Sequence, residues 1–211
     1  MKLITKKCIQ MKKSIIFFMF ICICLKIDIS NLIYAQDEKH NKGFFGSIET
    51  RYLKGFSAEG DYISYPSKEW NLYGKSLRFY FGYFINAHFS IGIGFGADRY
   101  EKPGANTFPL VIDLRGYLKD CKNTPFIFFD AGNSLKFSEA QEKGFLLDAG
   151  LGYKFFVLKR LCLIGSIGYN YKHFPKWYWY SDDPSPNPDP ESYKWAFLNR
   201  HSLAFSLGIF F

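Results

Sequence analysis

Residues 200–211 read RHSLAFSLGIFF, and an apolar residue falls on every second position to the end of the stretch. On a strand, Leu203, Phe205, Leu207, Ile209 and Phe211 share one face, while Ser202, Ala204, Ser206 and Gly208 share the other. Successive strand side chains point to opposite sides, so the division is a property of the backbone. The face of large residues is wholly apolar; the opposite face is small or polar. That is an unusual division for a strand that packs its apolar side on a water-soluble core.

Working back along the chain, seven more segments of about ten residues alternate in the same way. They are FFGSIETRYLK from Phe44, LYGKSLRFYFGYF from Leu72, HFSIGIGFGAD from His88, TFPLVIDLRGYLK from Thr107, PFIFFDAGNSLK from Pro125, GFLLDAGLGYKFFV from Gly144 and RLCLIGSIGYNYKHF from Arg160. The closing strand is expected from Trp195. No helical periodicity runs through residues 44–211, which excludes the helix-rich classes. The links alternate too. Long or polar ones, GFSAEGDYISYPSKEWN, RYEKPGANT, FSEAQEK and PKWYWYSDDPSPNPDPESYK, follow the odd strands, and the short INA, DCKNT and LK follow the even ones. Tight turns on one side and long loops on the other are expected of an outer-membrane barrel, with its turns in the periplasm and its loops outside the cell. A soluble barrel has no reason to sort link length by side.

The faces lead to the same class. In the segment from Gly144, Phe145, Leu147, Ala149, Leu151, Tyr153 and Phe155 stand opposite Leu146, Asp148, Gly150, Gly152 and Lys154. In the segment from His88, Phe89, Ile91, Ile93, Phe95 and Ala97 stand opposite Ser90, Gly92, Gly94, Gly96 and Asp98. The lumen of an eight-stranded barrel is narrow, so five or six large side chains from every strand have no room there. They face outward, and an outward apolar belt needs lipid. In lipid every backbone polar group needs an internal partner, so the last strand must pair with the first. The expected fold is therefore all-β: an eight-stranded antiparallel up-and-down transmembrane β-barrel with short periplasmic turns and longer extracellular loops. Tyr169, Tyr171 and Trp195 fall at the outer ends of strands and Tyr83, Tyr153 and Phe211 at the inner ends, as interfacial girdles require.

In this pattern residues 44–211 resemble the small eight-stranded outer-membrane barrels typified by OmpX and the membrane domain of OmpA, within the porin-like barrels. A terminal Phe at position 211 resembles the signature by which such chains are recognised. The resemblance implies partners in outer-membrane lipid and in the barrel assembly machinery, the latter reached through the strand ending at Phe211.

Residues 1–36 have the order of a secretory signal peptide. Met11 is a plausible start, Lys12 and Lys13 precede the apolar run SIIFFMFICICL, and cleavage is expected after Ala35. Residues 37–43 then form a short periplasmic segment before the barrel. The leader holds six of the 27 Lys and Arg and one of the 19 Asp and Glu, which leaves 21 against 18, a net charge of about +3. The basic balance thus belongs to the leader, and nothing calls for nucleic acid as a partner. Cys8, Cys22 and Cys24 also leave with it. Cys121 is expected in a periplasmic turn and Cys162 inward near the same end, close enough to bridge only if the turn folds back under the barrel.

By parity the inward charged groups are Glu49, Arg51, Arg78, Asp98, Asp113, Arg115, Asp130, Asp148, Lys154, Lys172 and Arg200. Buried charges persist when paired, so an ion-pair and hydrogen-bond ladder plugging the lumen is expected rather than a conducting pore, the narrow-porin alternative. Catalytic chemistry has one candidate. Lipid A deacylases of the outer membrane use a His and a Ser with one residue between them, together with an acidic partner, but His201 and Ser202 are adjacent and so point to opposite faces. No catalytic, cofactor-binding or metal-binding residue is assigned. Asp182, Asp183, Asp189 and Glu191 are interleaved with prolines and read as a solvated acidic surface rather than a calcium loop. Trp177, Tyr178, Trp179 and Tyr180 stand in a row in the same link and are the candidate contact surface for an extracellular ligand. The expected role is structural or surface-binding, through adhesion by the loops, and not enzymatic.

Overall fold

A sheet in hydrocarbon must leave no edge, and closure is the structural fact on which the rest depends. The computed structural model describes residues 41–60, 64–66, 72–101, 104–136, 143–158, 161–179 and 194–211. The leader, its start at Met11 and its cleavage near Ala35 lie outside the described residues. The strands are β1 (Gly43–Gly60), β2 (Ser64–Pro66), β3 (Tyr73–Asn86), β4 (Phe89–Tyr100), β5 (Ala105–Tyr117), β6 (Thr124–Leu135), β7 (Gly144–Leu158), β8 (Leu161–Trp179) and β9 (Lys194–Phe210). All pairings are antiparallel between neighbours in the order β1-β3-β4-β5-β6-β7-β8-β9, and β9 returns to pair β1 from Ser47↔Phe210 to Gly60↔Leu198. Eight strands close the barrel. The short β2 lies on the end of β1, with Glu59 opposite Ser64. Beyond β9, the Phe211 N–H donates to the Gly46 carbonyl at 2.8 Å and the Gly46 N–H donates back at 2.6 Å.

The described residues contain no helix, and the alternation read from the sequence is the alternation of burial. Leu207 is 59 % exposed, Ile93 55 %, Phe81 51 % and Leu151 62 %, whereas Ser90, Asp113, Asp148 and Ser202 are fully enclosed. A soluble monomer rarely exposes a contiguous apolar patch larger than roughly 300–600 Å². Here the large side chains point outward along every barrel strand, so the solvent of this surface is lipid.

Several strands outrun their sequence-based bounds. A tilted strand spans the bilayer with about 9–11 residues, yet β1 has 18, β8 19 and β9 17. Gly55–Gly60, expected in the first long link, continues β1 past an irregularity between Gly55 and Ser57 in its pairing with β9. Likewise Trp177–Trp179, expected in a loop, form the end of β8 and pair with Lys194–Ala196 after a register shift between Phe174 and Trp177. Trp and Tyr favour pleated backbone, and the bulge absorbs Pro175, which offers no N–H to a ladder. At the other ends the links are short, with only residues 87–88 between β3 and β4.

Pro109 stands inside β5 in a barrel that has no edge strand. The β4–β5 ladder accommodates it by passing from Phe95↔Leu110 to Asp98↔Thr107 without a bridge between.

Candidate functional site

The lumen is built in layers, each from residues of one parity on several strands. At the short-turn end, Phe45, Phe84, Tyr117, Phe126, Phe128 and Phe210 pack with Cys162 and Ile164. Phe45 stacks on Phe210 with ring centroids 5.1 Å apart, and Phe84 meets Tyr117 at 5.2 Å. The Lys154 ammonium lies 5.2 Å from the Tyr117 and Phe210 centroids, a cation–π arrangement that suits a charge kept from water. Lys154 also donates to Asn41 Oδ1, while Asn41 Nδ2 donates to the Ala87 carbonyl at 2.9 Å. Gly43, at φ 80°, lets the chain turn from Asn41 into β1, a conformation that glycine adopts without strain.

Above this aromatic floor is a charged layer. Arg115 reaches Glu49 at 3.0 Å and Asp113 at 2.9 Å, with its guanidinium over the Tyr80 ring at 4.8 Å. The Tyr80 hydroxyl donates to Asp130 at 2.8 Å. Arg51 crosses the lumen to Asp148 at 2.8 Å, and Asn170 donates to the other carboxylate oxygen. The void left among Glu49, Arg51, Tyr80, Arg115 and Asp130 is about 10 Å³. That is room for roughly one water.

A second charged layer follows. Arg78 grips Asp98 in a fork, its Nη2 lying 2.8 Å from Oδ2, and the Ser76 hydroxyl donates to Oδ1 at 2.6 Å. Lys172 donates to Ser134 Oγ. The long-loop end is capped by Leu53, Ala58, Leu72, Tyr100, Ala105, Phe174, Leu198 and Ala204. Arg200 lies 4.8 Å over the Tyr100 ring there and donates to the Tyr73 carbonyl at 3.2 Å.

All eleven inward charges named from parity are buried in this lumen. The structure brings together Glu49, Asp113 and Arg115, joins Arg51 to Asp148, and joins Arg78 to Asp98; Lys154 and Arg200 instead lie over rings at opposite ends. Charge-led reading passes over the aromatic floor. The signal was available, since Phe126 and Phe128 share parity with Asp130, and Tyr80 with Arg78. The inward glycines make room for these rings: a Cβ on Gly94 would stand 2.6 Å from the Tyr80 ring and 2.8 Å from Val111 Cγ2.

Outside the lumen, His201 is half-buried on the lipid face with its Nδ1 2.5 Å from the Tyr169 hydroxyl, while Ser202 is enclosed on the other. The two cannot exchange a proton directly. Cys121 is half-exposed, Cys162 is buried, and both are free thiols. Among the described residues no cluster of His, Cys, Asp or Glu could hold a metal ion. The backbone of Trp177–Trp179 is placed on β8; Tyr180, Asp182, Asp183, Asp189 and Glu191 lie outside the described residues.

The chain is a small closed antiparallel β-barrel with an outward apolar belt. It aligns with the crystal structure of the outer membrane protein OprG from Pseudomonas aeruginosa at 10 % identity and a TM-score of 0.48, covering 82 % of this chain and 98 % of that one. Neisserial surface protein A aligns at 13 % identity and a TM-score of 0.42, covering 78 % of this chain and 96 % of that one. No family model and no curated protein matches the sequence.

Proposed function

We propose that this protein is a non-enzymatic outer-membrane barrel whose role is structural or surface-binding, exercised at its long-loop end and not through its lumen. The observation that carries this reading is the filled interior, where the void among the central charges is about 10 Å³. Such a space passes no solute and holds no acyl chain. The separation of His201 from Ser202 by the barrel wall speaks against a deacylase built on that pair. The eight residues or so by which β8 exceeds a membrane crossing raise its hairpin with β9 roughly 20 Å above the belt, given the rise and tilt of barrel strands. Trp177, Tyr178 and Trp179 ride on that extension, which makes the hairpin the contact surface for an extracellular ligand. Export by the leader, cleavage near Ala35 and insertion by the barrel assembly machinery through β9 belong to the same reading.

The test removes residues 180–193 and joins Trp179 to Lys194, which already pair, by a short Gly/Ser turn. A second variant carries Trp177→Ser, Tyr178→Ser and Trp179→Ser. Both should insert and keep heat-modifiable gel mobility, while adhesion of expressing cells to serum-coated glass falls. Undiminished adhesion in both variants refutes the hairpin assignment. Steady conductance in planar bilayers, or acyl release from lipid A by the purified protein, refutes the structural reading itself.

A further inference from the structure

The lipid-facing wall carries a depression near the long-loop ends of β3, β4 and β5. This groove of about 490 Å³ is lined on its outward side by Lys75, Leu77, Ala97, Arg99, Asn106 and Phe108. Its volume falls within the roughly 300–1,000 Å³ range of small-molecule sites. Two features meet there: the β4–β5 ladder has no bridge between Phe95↔Leu110 and Asp98↔Thr107, and the outward residue of β4 at that level is small. Strand β4 presents Phe89, Ile91, Ile93 and Phe95 to lipid and then Ala97, whose direct partner on β3 is Leu77. A notch one side chain deep is left beside Leu77 and Phe108.

Above the notch, on its aqueous side, Lys75 and Arg99 are direct cross-strand partners and both are exposed. Like charges directly opposite on a sheet destabilise it unless something of opposite sign sits between them. The Arg99 Nε donates to Glu101 at 3.0 Å, which offsets part of that charge. Lys54 adds another exposed cation, since it pairs with Tyr73 while Lys75 pairs with the neighbouring Tyr52. Asn106 stands opposite Arg99 on β5 and brings an amide donor. These residues lie where β3 begins at Tyr73 and β4 ends at Tyr100, the level of the headgroups at the long-loop face.

We propose that this groove binds a phosphorylated lipid of the outer leaflet, with a phosphate between Lys75 and Arg99 and an acyl chain in the notch at Ala97. The cations supply the attraction that basic residues exert on anionic headgroups. The notch beside Leu77, Ala97 and Phe108 supplies an apolar lining that surface charge alone does not. The site requires that the long-loop end face the outer leaflet, but not that the β8–β9 hairpin bind anything.

The experiment refolds the protein in zwitterionic micelles and titrates diphosphorylated lipid A, reading bound lipid by native mass spectrometry. Lys75→Gln/Arg99→Gln should bind about 25-fold more weakly, taking roughly fivefold for each basic residue near an anionic surface. Ala97→Phe fills the notch without altering charge and should also weaken binding severalfold. Lys122→Gln, in the opposite turn, should leave it unchanged. Heat-modifiable mobility confirms that each variant is folded. The proposal is overturned if the double charge variant binds as the unaltered protein does, if Lys122→Gln weakens binding equally, or if Ala97→Phe changes nothing. Binding of inorganic phosphate as tight as that of the lipid overturns the lipid assignment.

Discussion

Replacing Arg51 by Met removes the positive half of a bond across the lumen. The side chains of Arg51 and Asp148 are 2 % and 0 % exposed and meet at 2.8 Å. Without Arg51, the Asp148 carboxylate keeps only the Asn170 amide as hydrogen-bond donor. Breaking a buried pair by removing one partner costs about 3–5 kcal/mol, because the other charge is left in a poor solvent. The Arg51 Nε has no partner, so the intact pair is already less than fully compensated and the lower half of that range is expected. Asp148→Asn alone strands Arg51 and should cost a similar amount. The double variant Arg51→Met/Asp148→Asn strands no charge and should cost no more than either single one, a coupling of about 3 kcal/mol at the upper end of measured contact pairs. Urea unfolding in lipid vesicles, followed by gel mobility, gives the three free energies. Additive costs would show that the two groups do not interact. A single-variant cost below about 1 kcal/mol would show that water screens the pair as it does at a protein surface.

Leu207, 59 % exposed on β9, should tolerate Arg poorly: about 2–4 kcal/mol near the bilayer midplane, read by the same unfolding assay. A negligible cost would mean that the outward face does not meet hydrocarbon. Gly94→Ala places a methyl 2.6 Å from the Tyr80 ring and should cost about 1–3 kcal/mol through overpacking; an unchanged midpoint would refute the tight seating of that ring.

The barrel was legible because two independent periodicities agree: alternation along Leu203–Phe211 assigns faces, and the sorting of links assigns ends. Parity is also sufficient to put Asp148 and Arg51 in the lumen. It does not say that they meet. Partners across the lumen depend on strand tilt and stagger, which set the height of each residue, and these are properties of the closed sheet rather than of any one segment. The extension of β8 was hidden for a different reason. Pro175 and the acidic, proline-rich run after Tyr180 have loop composition, and the bulge that lets pairing resume at Trp177 leaves no local mark. The groove at Ala97 is not legible in the sequence, because alanine is one more apolar residue until its larger neighbours are in place.

The cross-lumen contacts have a mechanical consequence. Around the ring of eight, Arg51 to Asp148 runs from β1 to β7, Arg115 to Glu49 from β5 to β1, and Tyr80 to Asp130 from β3 to β6. Each joins strands three seams apart, so these bonds are spokes where the ladders form only the rim. A rim of ladders hinges at its seams and ovalises under uneven lateral pressure from the surrounding lipid. Spokes in several directions resist flattening along any axis, and they place the stiffness of the wheel at its hub.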